Sequence, residues 1–268
     1  MRKQAFTVVE LLVVIAIIGI LASLLLISLN MAKQTAKAVQ CANNNRTLTY
    51  GWLMYAHDNE DKLVPNHPLT VGRDTPSWME GILRYGQPNH HDNTNTLHLE
   101  NSLLHKYIDS FSIYKCPSDR TRNYHIVNGK EVKLPWVRSF GLNQYMAGPD
   151  FHENKAFFKS DQIDRPSDRL VFIGQRADTY ENGYFVMGNV DLFKPERYRW
   201  HEFPARYHSN NSSVSFSDGH VELHEWKTKW PSMGDKHNTG PREYAPNNQD
   251  ISWLASKATY EKKKKNMN

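Results

Sequence analysis

Ala5-Phe6-Thr7-Val8-Val9-Glu10 runs directly into Leu11-Leu12-Val13-Val14-Ile15-Ala16-Ile17-Ile18-Gly19-Ile20-Leu21-Ala22-Ser23-Leu24-Leu25-Leu26-Ile27-Ser28-Leu29, behind only Met1-Arg2-Lys3-Gln4. From Leu11 to Leu29 there is no charge and no proline. As a helix this run rises roughly 28 Å, which matches a hydrocarbon core of roughly 30 Å. The segment therefore predicts a membrane-spanning helix. A secretory signal peptide also opens on basic residues, but its apolar core is shorter and a small-residue cleavage site follows it. Asn30-Met31-Ala32-Lys33-Gln34 offers no such site. Glu10 is the odd member, because a carboxylate deep in lipid costs up to ~3 kcal/mol, and so it calls for a partner.

Beyond Leu29 the residues Ala38, Cys41, Asn45, Leu48, Trp52 and Tyr55 recur at steps of three and four, one face of a continuing helix. Lys33, Lys37, Arg46 and His57 fall off that stripe, so this half is amphipathic and needs a surface to pack on. The two halves predict one rod from about Phe6 to near Asp58, roughly 80 Å long. Asp58-Asn59-Glu60-Asp61, with Pro65 soon after, ends it.

The chain of 268 residues leaves room for one further domain of about 200 residues. Its formal charge of +5 invites a nucleic-acid reading, so the position of the charge decides. Of 33 basic residues, six lie at the ends (Arg2, Lys3 and Lys262 to Lys265), which leaves 27 against 28 acidic ones. The body is near neutral, and a DNA- or RNA-binding face is not expected. The Lys262 to Lys265 run reads as a solvated terminus.

Residues 62 to 96 read as loop, with Pro65, Pro68, Pro76 and Pro88 among Gly, Asn and Asp, pinned by Trp78, Met79, Ile82 and Leu83. A short helix is expected from Asn95 to Ser110, then an alternating Phe111, Ile113 and Tyr114, and a turn at Cys116-Pro117-Ser118-Asp119. Leu170 to Gly174 and Gly183 to Met187 read as strands. Ser213-Val214-Ser215-Phe216-Ser217-Asp218-Gly219-His220-Val221-Glu222-Leu223-His224 reads as a hairpin, Asp218-Gly219 forming a two-residue type I′ turn. In that register Phe216 faces Val221 and Val214 faces Leu223, while Ser215, Ser217, His220 and Glu222 share the other face.

The opening stretch resembles the prepilin family, the precursors of type IV pilins and of the pseudopilins of type II secretion. The motif is a short basic leader, a small residue, Phe-Thr, two apolar residues, Glu and an unbroken apolar helix. Here Arg2 and Lys3 supply the leader, Ala5 precedes the cut, Phe6 becomes the new N-terminus, and Glu10 follows four residues on. Ala5 stands where Gly is usual, and the apolar run lacks the proline that kinks many type IV pilins. The resemblance implies that a prepilin peptidase cuts between Ala5 and Phe6 and methylates the Phe6 amine. It also gives Glu10 a role, pairing with the Phe6 amine of a neighbouring subunit, since buried charges persist only when compensated. His208, nine further residues and Asp218-Gly219 are similar to a C-terminal signature of large prepilin-like proteins of planctomycete-type bacteria, and Tyr114 to Asp119 and Ser139 to Asn143 look like other parts of that family. The role of His208, Asp218 and Gly219 there is left open.

Thirteen histidines prompt a metal search. His220, Glu222 and His224 would share one strand face, neighbours about 7 Å apart, but a polar solvent face explains them without an ion. His90-His91-Asp92 reads as an exposed loop. Major pseudopilins often bind calcium in a loop, and Asp58 to Asp61 could offer oxygens, yet no ligands stand out. No metal or other cofactor is assigned. Ser217-Asp218 beside His208 suggests hydrolysis only weakly, because the chain has no Gly-x-Ser-x-Gly elbow, His-Glu-x-x-His helix or Gly-rich phosphate loop. Cys41 and Cys116 would lie outside the cytoplasm if the basic leader stays inside. A single disulfide between them and two buried thiols are equally open.

The expected fold is α+β, pilin-like: a long N-terminal helix, half membrane-spanning and half amphipathic, packed on an antiparallel β-sheet head. The expected division is a leader (1–5), a spanning or filament-core helix (6–29), its amphipathic continuation (30–58), a globular head (59–258) and a basic tail (259–268). The expected function is that of a non-enzymatic pilin-like or pseudopilin subunit, assembled with like subunits into a type II secretion or type IV pilus-like filament. It would sit in the inner membrane with a single pass and its head in the periplasm or outside. The rival is a membrane-tethered module whose head binds polysaccharide or a secreted protein through some of its seven Trp and thirteen Tyr.

Overall fold

A computed structural model describes residues 8–66, 76–148, 156–179, 182–187, 193–229 and 243–260. Helix α1 runs from Val8 to Asp58, 51 residues or about 76 Å of rod. Its end falls where the sequence puts it: Glu60 and Asp61 take left-handed φ values of 56° and 62°, and the Asn59 and Asp61 N–H groups close the last turn on the Ala56 carbonyl. The expected stripe is buried at Ala38, Cys41, Asn45, Leu48 and Trp52, widened by Asn44, Thr49, Gly51 and Ala56. Tyr55 lies at its edge, partly buried.

The head is α+β. Helix α2 (Leu97–Glu100) precedes strands β1 (Arg122–Val127), β2 (Lys130–Pro135), β3 (Phe140–Asn143), β4 (Leu170–Gly174), β5 (Tyr184–Phe185), β6 (Arg199–Trp200), β7 (Asn211–Phe216), β8 (Val221–Glu225) and β9 (Glu243–Tyr244), then helix α3 (Gln249–Ala258). The central sheet has the order β5-β3-β4-β7-β8. Its pairings are antiparallel except for β3 with β5, which is parallel. Strand pairs β1-β2 and β6-β9 form two separate two-stranded sheets.

Helices cover both faces of the central sheet, and this sorts the core. On one face Leu48, Trp52 and Ala56 of α1 join Trp78, Leu104, Ile108, Val171 and Phe172. On the other, Ile251, Leu254, Ala255 and Ala258 of α3 join Leu170, Ile173, Val214 and Phe216. Consecutive residues Val171 and Phe172 both belong to the α1 side, which breaks strand alternation and coincides with a register shift between β4 and β7. Such a bulge frees backbone groups from the ladder. Here side chains take them: the Phe172 N–H donates to Ser215 Oγ (3.0 Å), and its carbonyl accepts from Asn45 Nδ2 (3.4 Å), which also donates to Ser213 Oγ (2.9 Å). Asn45 in the apolar stripe is thus a lock between α1 and the sheet, for a buried polar group stays favourable only when bonded.

Three expectations need correction. The Asp218-Gly219 hairpin forms, but Ser215 pairs with Val221 and Val214 with Glu222, one residue off the expected register. The turn holds three residues, Ser217-Asp218-Gly219, closed by the Gly219 N–H on the Phe216 carbonyl. Val214 and Phe216 therefore share a face with His220 and Glu222, while Ser213 and Ser215 share theirs with Val221 and Leu223. The physical reason is that β7 is buried from Ser212 to Phe216: it lies inside the sheet, α1 needs small serines to approach closely, and alternation on a strand covered on both faces carries no register information. The two-residue turn with φ > 0 at both positions occurs elsewhere, at Asn128 (50°) and Gly129 (73°), joining β1 to β2. Next, the helix expected from Asn95 to Ser110 is broken into α2 and a 3₁₀ turn at His105–Tyr107, because Ser102 leaves the helix to donate to the Trp78 carbonyl and to accept from the Leu104 N–H. Last, Phe111, Ile113 and Tyr114 lie in a 3₁₀ turn (Phe111–Tyr114) and not in an extended segment. The Cys116 to Asp119 turn forms as expected, the Asp119 N–H reaching the Cys116 carbonyl at 3.0 Å.

Candidate functional site

The first feature is the free half of α1. Val8 to Met31 exposes its whole circumference: Val8, Leu12, Ile18, Leu25 and Leu29 are all more than half exposed. Among the described residues, α1 alone is long and apolar enough to cross a membrane. Its hydroxyls are satisfied within the helix, Ser23 on the Ile20 carbonyl (2.7 Å) and Ser28 on the Leu25 carbonyl (3.0 Å), as a lipid or helix-bundle environment requires. Glu10 lies in the first turn, where a carboxylate also favours the helix dipole. Ala5 and Phe6 lie outside the described residues.

The second feature joins residues far apart in the chain. Cys41 sits on the buried face of α1, Cys116 opens the turn behind the Phe111–Tyr114 segment, and His208 lies in the loop that enters β7. They are 2 %, 1 % and 8 % exposed. The two cysteines are free thiols. Their sulfurs and a His208 ring nitrogen all lie within 4.8 Å of one another, with His208 Nε2 3.2 Å from Cys116 Sγ. The neighbouring Cys41 thiol, helped by His208 and opposed by burial, holds Cys116 down to about 6. The same neighbour relation, with burial, pushes Cys41 well above the ordinary thiol value. The Cys116 loop is held by Asp119, which accepts from Ser139 Oγ (2.6 Å), the Thr121 N–H (2.8 Å) and Lys115 Nζ (3.1 Å). Neither cysteine has a partner nearby in sequence, so spacing alone gave no sign of this cluster.

His208 and the Asp218-Gly219 turn do separate things at the two ends of β7. Asp218 caps its own turn, accepting from the His220 N–H and facing His220 Nδ1 at 2.6 Å. Gly219 has φ +93°, and a Cβ there would lie 3.0 Å from the Tyr50 ring and 3.6 Å from Leu53 of α1. Glycine is required twice, by the left-handed backbone and by the close helix. Gly219→Ala is expected to cost about 1–3 kcal/mol, read as a lower denaturation midpoint. An unchanged midpoint would show that this turn does not carry the joint between β7-β8 and α1.

The remaining polar candidates point to separate partners. Ser217 donates to the Pro166 carbonyl, away from His208, so these residues do not converge on one reacting atom. His220 stacks on Phe216 at 4.3 Å and His224 on Trp253 at 3.6 Å, with Glu222 Oε1 3.8 Å from His224 Nδ1. Asp92 accepts from the Ile82 N–H and faces His98 at 3.1 Å. In the stretch named for calcium, Asp58 accepts from Tyr107, Asp61 from Ser160 and Glu60 from Lys62. A cleft of about 970 Å³ lies against the β1-β2 hairpin, with Tyr85, Tyr124, Tyr207, Arg120, Arg122 and Lys133 in its walls.

Residues 1–26 match the family model for the prokaryotic N-terminal methylation motif. No curated protein and no solved structure matches the chain. The match supports a prepilin-type protein processed at its N-terminus, a structural subunit in preference to an enzyme, with a prepilin peptidase and pilin-like subunits as the implied partners. Together with the apolar half of α1 it is consistent with a single-pass anchor in the inner membrane.

Proposed function

We propose that this chain is a pilin-like or pseudopilin subunit, cut between Ala5 and Phe6, methylated on the Phe6 amine and assembled into a type II secretion or type IV pilus-like filament. One observation carries the reading: the methylation motif leads into a helix whose first six turns, Glu10 apart, are apolar on every side and exposed away from the head. A simple anchor needs that surface for lipid. A filament needs it twice, first for lipid and then for neighbouring helices, and it also uses Glu10, the only charge between Val8 and Ala32, against a neighbour's Phe6 amine. The head, held on the second half of α1, would stand in the periplasm or outside and cover the fibre. Its size beyond a minimal pilin head fits a minor, tip or specialised subunit, and the His208 and Asp218-Gly219 resemblance fits the large prepilin-like group.

The mature N-terminus tests this directly. Mass and N-terminal sequencing of protein from its native membrane should give a chain that begins at methylated Phe6, five residues short. An intact Met1 would refute the reading.

The cleft supports a second reading, a tethered module that binds polysaccharide or a secreted protein. Three tyrosines offer faces for sugar rings and three cations offer anchors for acidic groups. The two readings are compatible in one subunit, and they separate experimentally because the cleft is far along the chain from Glu10.

A further inference from the structure

We infer that Cys41, Cys116 and His208 form a binding site for one thiophilic metal ion, Zn²⁺ or Cu⁺, that ties the filament helix to the head. Two thiols and an imidazole are the ligand set such ions select, and calcium or magnesium would need oxygens instead. The dimensions agree. Two bonds of about 2.3 Å place sulfurs at most ~4.6 Å apart, and ~3.8 Å apart at a tetrahedral angle. The three ligand atoms lie within 4.8 Å of one another, and Cys116 Sγ and His208 Nε2 are 3.2 Å apart. An ion therefore enters with shifts of about 1 Å at most.

The three side chains come from three segments that meet only in the folded chain, and all three are buried. A disulfide would use the two sulfurs, draw them to about 2.05 Å and leave the imidazole with no part to play. A metal ion uses all three groups. Charge fits as well, since both cysteines bind as thiolates, any remaining thiol proton passing to solvent, and two thiolates with one Zn²⁺ sum to zero in a buried place. Ser118 and Tyr207, two residues from Cys116 and one from His208, line the cleft, so the cluster lies close behind its wall. The position explains the benefit. Cys41 lies one turn past Ala38, where α1 first becomes buried, so the ion would fasten the rod where it enters the head.

The full-length protein, purified in detergent under reducing conditions, is assayed for metal by elemental analysis after incubation with Zn²⁺ or, in a separate arm, Cu⁺, and desalting. The expected result is about one ion per chain, with the two arms showing which metal is held more tightly. Cys41→Ser and Cys116→Ser should abolish retention, and His208→Gln should weaken it about tenfold or more. Should those variants fail to fold, Co²⁺ loaded into the unaltered protein should show thiolate-to-metal charge-transfer absorption that Zn²⁺ displaces. The inference is overturned if the unaltered protein retains no metal while both thiols titrate as free. It is equally overturned if protein isolated without reductant weighs two hydrogens less and carries no metal, which marks a disulfide.

Discussion

Glu10→Ala should leave the protein in the membrane and its head folded, yet remove it from assembled fibres. Taking a carboxylate from the rim of the apolar run makes insertion easier, by up to ~3 kcal/mol if the group sits deep. Membrane retention should therefore hold or improve. Assembly responds in the opposite direction. Once helices pack side by side, the Phe6 amine of one subunit loses water, and without a neighbour's carboxylate it becomes an uncompensated buried charge. Breaking one side of a buried pair costs about 3–5 kcal/mol, and each 1.4 kcal/mol is a factor of ten. The fibre-associated fraction is thus expected to fall by about two orders of magnitude or more. Glu10→Gln, which keeps size and loses charge, should fail almost as badly. The comparison is between sedimented sheared fibres and the membrane fraction of the same cells. If the Ala variant enters fibres at the level of the unaltered chain, the register role of Glu10 is wrong and α1 is a plain tether.

Trp52→Ala should give the largest loss of stability of any single truncation on α1. Trp52 is fully buried, four residues from Leu48 and from Ala56, and in the same cluster as Trp78 and Phe172. A buried Trp withdraws roughly 150–250 Å² from water, worth about 4–6 kcal/mol at 25 cal/mol per Å², as an upper bound. Its Nε1 makes no hydrogen bond among the described residues, so the loss comes from apolar transfer and the cavity left behind, about 3–5 kcal/mol. Trp52→Phe fills most of that space and should cost under about 2 kcal/mol. Denaturant unfolding of the detergent-solubilised chain, followed by near-ultraviolet circular dichroism, separates the two. A loss below 1 kcal/mol for the Ala variant would mean that α1 does not anchor the head through this face. Since whole domains are stable by only about 5–15 kcal/mol, the expected loss is enough to compromise the head.

These two residues show how differently the two halves of α1 are legible. Glu10 is visible in sequence because its surroundings are local: one acid beside an apolar run, behind a basic leader, is a pattern in consecutive residues. Trp52 is visible because helical periodicity names the buried face, though not what covers it. Strand β4 was legible as a short apolar run, and α1 ended where left-handed Glu60 and Asp61 stop it. The β7-β8 register was not, since a strand covered on both faces has no polar side to set the phase. The α3 helix was not either, although Asn248 caps it by accepting from the Asp250 and Ile251 N–H groups. Its ten residues fell among short apolar stretches that periodicity alone does not resolve.

The sequence by itself determined the rod, its apolar front and its single acid, because these depend on composition and spacing within one helix. Only the tertiary structure decided what Cys41 meets. A helix face states that a thiol is turned inward, but which groups await it depends on where a turn near residue 116 and a loop near residue 208 are carried by the sheet. That placement follows from sheet order and from the bulge that seats Asn45, which are properties of packing between segments far apart in the chain.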